Sequence, residues 1–216
     1  MRIVIPFVLI PAVAILGVTL FDAKKHILIS LLVAVLSVFL FIAGFEKKQT
    51  GSRRMVIVAV MTALSVVGRF IPFFKPITAI TVITGTYLGM EAGFLVGSLS
   101  ALISNFYFGQ GPWTAFQMLA WGLVGLFAGI FGKALRRHKS LLVLYGVLSG
   151  VTYSLVMDVW SVMWYNGTFS SDLFVTSVIA AIPFTVIYSI SNLVFLLLMA
   201  KPFGEKLERI KVKYGV

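Results

Sequence analysis

The stretch 173–200, LFVTSVIAAIPFTVIYSISNLVFLLLMA, contains no charged residue in 28 positions. About 20 predominantly apolar residues are enough for a helix to cross the roughly 30 Å hydrocarbon core of a bilayer, so this run spans it even when tilted. Its embedded polar pair, Ser191 and Asn192, is of the kind that hydrogen-bonds between packed helices in lipid.

Outward from this run the same pattern repeats. Apolar stretches near the spanning length occur at 3–21, 27–45, 55–71, 113–132 and 141–164. Between Pro72 and Trp113 lie two shorter pieces, 77–90 and 92–106, separated by Glu91. They read as a hairpin with a tight turn at Glu91, partly shielded by neighbouring helices because each piece is short for a span. The expectation is eight membrane helices. Composition agrees, with 60% hydrophobic residues, 12% charged residues and a mean hydropathy of +1.04, beyond what a soluble domain carries.

The net charge of +11 raises nucleic acid as a partner. That reading needs basic residues gathered on a solvated face with groups that contact bases, whereas here they sit between apolar runs. Nucleic-acid binding is therefore set aside, and the basic residues are read as orienting the chain. With the N-terminus inside, alternate loops place 14 Lys and Arg on one side and 4 on the other, namely Lys24, Lys25, Arg69 and Lys75. The asymmetry predicts a multi-pass protein of the cell membrane with both termini cytoplasmic. Near the start, the triplet Ala12, Val13, Ala14 lies inside the apolar run rather than after it, and Pro6 and Pro11 interrupt that run, so the first segment reads as an uncleaved anchor. The charged segment 46–54 divides the chain into a two-helix transmembrane extension, 1–50, and a six-helix core with a basic cytoplasmic tail, 51–216.

Small residues recur at every fourth position in Gly93, Gly97, Ala101 and Asn105, and similarly spaced glycines occupy 122, 125, 129 and 132. Such stripes permit close backbone approach and predict a compact bundle.

Catalysis finds little support. Six of the seven acidic residues fall in or beside loops, and only Asp158 is embedded. His26 and His138 are isolated beside lysines, and no cysteine is present, so the sequence offers neither a metal site nor a thiol nucleophile and implies no cofactor. The nearest approach to a phosphate loop, Gly129-Ile130-Phe131-Gly132-Lys133-Ala134, misplaces the first glycine and lacks the Ser or Thr that binds magnesium. Any ATP hydrolysis must come from another subunit.

The outward loops carry the chemistry. Residues 105–117, NFYFGQGPWTAFQ, combine aromatics, amides and turn-permitting glycines, a mixture suited to a small-molecule site. An interfacial aromatic belt is the plainer explanation for Tyr107 and Trp113 taken alone. Asp158 within the membrane is costly unless it faces a cavity or a partner, and Arg69 is one candidate partner. Trp160 and Trp164, four apart, share a helix face. The binding residues expected on these grounds are Asn105, Phe108, Gln110, Trp113, Gln117, Asp158 and Trp164, with Arg69 and Lys75 closing the site from the opposite loop. On the third span, Ala59 and Ala63 form a small pair that serves internal packing or receives another membrane subunit.

The segments Gly68-Arg69-Phe70, 73–79 (FFKPITA), 91–97 (EAGFLVG) and 104–114 (SNFYFGQGPWT) resemble the substrate-binding S components of energy-coupling factor (ECF) vitamin transporters, most nearly a branch associated with cobalamin. The similarity covers about 54–200 and leaves out the N-terminal hairpin, and family members typically have six helices. The resemblance implies an all-α, S-component-like bundle of six helices, here preceded by the two-helix hairpin. It further implies capture of a vitamin outside, best cobalamin or a related precursor. Docking is then expected through Ala59-Val60-Met61-Thr62-Ala63 onto a transmembrane coupling subunit that carries two cytoplasmic ATPases, with the S component toppling in the membrane lipid to deliver the ligand. Another vitamin or precursor is the alternative. A membrane-embedded enzyme is opposed by the missing catalytic constellation, and an assembly subunit with a lipid-filled groove by the polar and aromatic groups gathered on one side.

Overall fold

The computed structural model describes residues 4–20, 26–45 and 52–214. Of the described residues 89% are helical, and none is in a strand. A π-helical turn, Ile5–Leu9, leads into α1 (Ile10–Leu20). There follow α2 (His26–Phe45), α3 (Ser52–Gly68), α4 (Ile77–Leu88), α5 (Met90–Phe108), α6 (Thr114–Ile130), the short α7 (Gly132–Arg137), α8 (Lys139–Asn166) and α9 (Ser171–Tyr214). Two of these, α8 and α9, are long and apolar enough to cross a membrane. Arg2, Lys24, Lys25, Lys47 and Lys48, used above to orient the chain, lie outside the described residues.

α4 has only 12 residues, about 18 Å at 1.5 Å per residue, short of the bilayer core. Every residue in it except Tyr87 is buried. It is therefore shielded by its neighbours, which also lets it carry Thr78, Thr81, Thr84 and Thr86 away from lipid. The hairpin turns two residues earlier than expected. Gly89, at φ +97°, makes the reversal, and Glu91 is a buried residue in the first turn of α5. That backbone region penalises any side chain, which is why glycine holds the corner.

The two small-residue stripes face each other. A Cβ on Gly93 or Gly125 would overlap the other's backbone carbonyl, one on Gly97 would overlap the backbone at Trp121, and one on Gly129 that of Met90. α5 and α6 thus pack backbone against backbone, at the centre of the bundle. α1 and α2 are not set apart from it: Ile10, Ala14, Val33 and Leu40 share one buried cluster with Phe94, Ala101 and Phe116. α9 runs 44 residues through Pro183 and Pro202, about 66 Å, so the basic tail continues the last apolar run as helix.

The bundle has two chemically distinct ends. At one, Arg54, Lys133, Arg136 and Lys211 line a common cleft, and Arg136 pairs with Glu208 at 2.6 Å. The other end holds Arg69, Lys75 and the connection from α5 to α6.

Candidate functional site

α3 ends at Gly68, whose Cα is pressed against the Pro76 ring, and the chain then folds back through 69–76 to start α4. This return places Arg69 inside the bundle, only 9% exposed. Arg69 Nη1 donates to Ser104 Oγ at 2.5 Å and to Asn105 Oδ1 at 2.6 Å. Its guanidinium lies 4.9 Å from the centroid of the Phe108 ring and 5.2 Å from that of Trp121, an arrangement that stabilises a cation on aromatic faces.

Asn105, the last member of the α5 stripe, is the hub of this region. Its Nδ2 donates to Thr114 Oγ1 at 2.9 Å and to Gln117 Oε1 at 2.8 Å, which ties α5 to the first turn of α6. Gln117 Nε2 in turn donates to the Tyr153 hydroxyl on α8 at 3.1 Å. Tyr153 stacks on Trp121 with centroids 4.7 Å apart and meets Tyr188 of α9 edge-on at 5.5 Å. Trp121 Nε1 donates to Thr78 Oγ1 at 3.2 Å. From the opposite loop, the Lys75 carbonyl accepts from Ser191 Oγ at 3.2 Å, and Lys75 Nζ stands 5.6 Å from the Phe108 ring centroid. Together, Arg69, Lys75, Thr78, Gln117, Trp121, Tyr153, Tyr188 and Asn192 enclose a cavity of about 100 Å³. Burial, and then the neighbouring Arg69 guanidinium, hold the Lys75 ammonium below the ordinary lysine range.

The residues named from sequence fall into two groups. Arg69, Lys75 and Gln117 line the cavity, while Asn105 and Phe108 hold Arg69 from behind and above. Gln110 serves its own loop: its amide donates to the Leu102 carbonyl and its oxygen accepts from Thr114. Trp113, Asp158 and Trp164 lie elsewhere. Trp113 meets Trp160 edge-on at 6.0 Å, and Trp160 stacks with Trp164 at 6.4 Å, forming an aromatic cluster at the end of α8. Asp158 and Arg69 do not pair, since Asp158 Oδ1 accepts from Ser177 Oγ of α9 at 2.9 Å and Arg69 has the partners given above. Asp158 Oδ2 and Trp160 Nε1 have no hydrogen-bond partner among the described residues. Sequence reading did not assign Thr78, Tyr153, Tyr188 or Ser191 to the site. Their only signal was polarity inside apolar runs, and Tyr153 and Tyr188 each looked like one more membrane aromatic.

A second feature lies on α3. Ala59 and Ala63 are exposed and line an open apolar groove of about 770 Å³, walled by Val38 of α2 and by Leu95, Leu99 and Ile103 of α5. Val56, Val60 and Val67 on the same helix are also exposed. So much uncovered apolar surface on a helix suits lipid or another membrane protein.

The profile of a known family, described as ECF transporter, substrate-specific component, matches residues 53–212. The chain belongs to this family. Among curated proteins and among solved structures, none matches it. S components of ECF transporters are binding subunits for transport rather than enzymes, they bind a small-molecule substrate, and they partner with an ECF module of membrane coupling subunit and ATPases. Family and apolar helices together place the protein in the membrane. The match begins at Arg53, in the first turn of α3, and α1 and α2 precede it in the chain.

Proposed function

We propose that this S component captures a single-ring vitamin or vitamin precursor in the cavity between Arg69, Gln117, Trp121 and Tyr153. In this reading the cavity end faces outward, the arginine-rich end with both termini is cytoplasmic, eight helices cross the membrane, and Ala59 and Ala63 receive the coupling subunit. The observation that carries it is the cavity itself. Aromatic walls from three helices surround convergent polar groups, the usual composition of a small-molecule site. The charge asymmetry between the two ends supports the orientation. Between cobalamin and a smaller ligand, the volume favours the smaller: drug-sized ligands occupy pockets of roughly 300–1,000 Å³, and this one measures about 100 Å³.

The test is ligand affinity, by calorimetry on the purified full chain with a panel of vitamins and precursors. Trp121→Ala should abolish binding because it removes a cavity wall, whereas Trp113→Ala should weaken it less, acting through the neighbouring cluster. Binding that survives Trp121→Ala and is lost in Trp113→Ala or Trp164→Ala would move the site to the aromatic cluster of α8.

A further inference from the structure

We propose that the ligand carries an anionic group, a carboxylate or phosphate, that seats between Arg69 and Lys75, with its ring lying toward Trp121 and Tyr153. The proposal rests on the reading of this cavity as the substrate site and adds the charge of what enters it.

Charge balance carries the argument. Two cationic side chains line one small cavity, and the hydrogen-bond partners of Arg69 are neutral, Ser104 and Asn105. No carboxylate among the described residues faces either cation: Asp158 is engaged by Ser177, Glu91 lies beside Gly89 at the far end, and Asp172 is exposed at the start of α9. A buried charge is costly unless another charge compensates it. Aromatic faces and a neutral amide position the guanidinium but add no negative charge.

Donor geometry points the same way. Arg69 has five N–H donors, and both hydrogens of Nη1 are taken up by Ser104 and Asn105. Nε and Nη2 therefore retain three N–H groups with no acceptor among the described residues. Lys75 Nζ likewise has no hydrogen-bond acceptor among them and stands over the Phe108 ring. Of the lining acceptors, Gln117 Oε1 is used by Asn105 and Thr78 Oγ1 by Trp121, while the neutral Asn192 Oδ1 is not engaged among the described residues. The cavity thus offers free donors and two positive charges against neutral acceptors only, which suits an anion and opposes a cation. A guanidinium with two free nitrogens presents the fork that a carboxylate or phosphate fills with two oxygens.

Matched single-ring pairs with and without an anionic group test this: nicotinate with nicotinamide, and pyridoxal phosphate with pyridoxal. Each is titrated by calorimetry into the purified full chain, with sodium phosphate and sodium chloride as further probes. At least one acid should bind, and its neutral partner should bind about 10- to 150-fold more weakly, the range for hydrogen bonds to a charged group. Arg69→Gln should erase that discrimination. Lys75→Gln, at a half-buried loop position, should reduce it. Trp121→Ala should abolish binding of acid and neutral members alike. Equal binding of both members, or preference for the neutral one, would overturn the anion proposal while leaving the site in place if Trp121→Ala still abolishes binding. No binding by any pair, or binding indifferent to both Arg69→Gln and Trp121→Ala, would overturn the site as well.

Discussion

Replacing Asn105 separates the two things this side chain does, which are to hold Arg69 and to join α5 to α6. Asn105 is 1% exposed and engages Arg69, Thr114 and Gln117 at 2.6, 2.9 and 2.8 Å. Asn105→Ala removes one hydrogen bond to a charged donor, about 1.5–3 kcal/mol, and one neutral bond to Gln117, about 0.5–1.5 kcal/mol. The bond to Thr114 weighs less, because Thr114 Oγ1 also receives the Gly111 N–H and donates to Gln110. Water from the adjoining cavity recovers part of the loss, so a destabilisation of about 2–4 kcal/mol is expected. At about 2–4 °C per kcal/mol for a chain of this size, the melting temperature falls by about 4–16 °C. Asn105→Asp keeps an acceptor for Arg69 and supplies the missing negative charge. Thermal unfolding of the purified chain should therefore rank Asp above Ala in stability, while calorimetry ranks Asp below Ala in affinity for an anionic ligand. An Asp variant that binds the acid like the unmodified chain would refute the reasoning, as would an Ala variant unchanged in both measurements.

Other outcomes follow from the same structure. Ala63→Leu should weaken co-purification with the ECF coupling subunit and leave ligand affinity unchanged, since a bulky side chain fills the groove on α3, which shares no lining residue with the cavity; retained association with lost ligand binding would reverse the assignment. Cysteines introduced at Lys139 and Ser170 should be labelled by impermeant reagents from opposite sides of the membrane, and labelling of both from outside would overturn the orientation. For Lys75, the folded protein lowers the proton affinity below the ordinary value of 10.5, so between the lowered value and 10.5 the unfolded chain binds more protons. Stability of the unliganded protein should therefore rise with pH through that window, and affinity for an anion should fall through it. A Lys75→Gln variant should lack both trends when compared with the unmodified chain by thermal unfolding and calorimetry.

Helical class and the partition of charge between the two ends were legible in the sequence because both are set by one-dimensional patterns, the length of apolar runs and the spacing of Lys and Arg. The α5 and α6 stripes were legible for a similar reason, since a four-residue repeat of small side chains places them on one helix face. The turn was misread by two residues because a polar residue, Glu91, drew the boundary that backbone geometry assigns to Gly89. Of the residues gathered around the proposed site, Arg69, Lys75, Asn105 and Gln117 were named from the sequence, because they flank the connections between apolar runs. Tyr153 and Tyr188 were not, because their contribution depends on which way α8 and α9 face, and helices with mixed apolar surfaces do not announce their rotation. Asp158 and Arg69 looked complementary by depth and charge alone. In the structure Arg69 is already held by α5, and Asp158 points to α9 instead.

The site and the packing of the bundle are one construction. Asn105 stands at the end of the repeat Gly93, Gly97, Ala101, and its reach to Gln117 is set by how closely α5 can lie against α6. At Gly93 and Gly125 the two backbones leave no room for a methyl group, so the helices meet at the smallest separation that their main chains allow. A larger residue anywhere in that repeat would push α5 outward and stretch the hydrogen bonds from Asn105 to α6. Arg69 would move with it, because its neutral partners are both on α5. Glycines on α5 and α6 thereby fix the position of the buried cation, a guanidinium that has no negative partner of its own among the described residues.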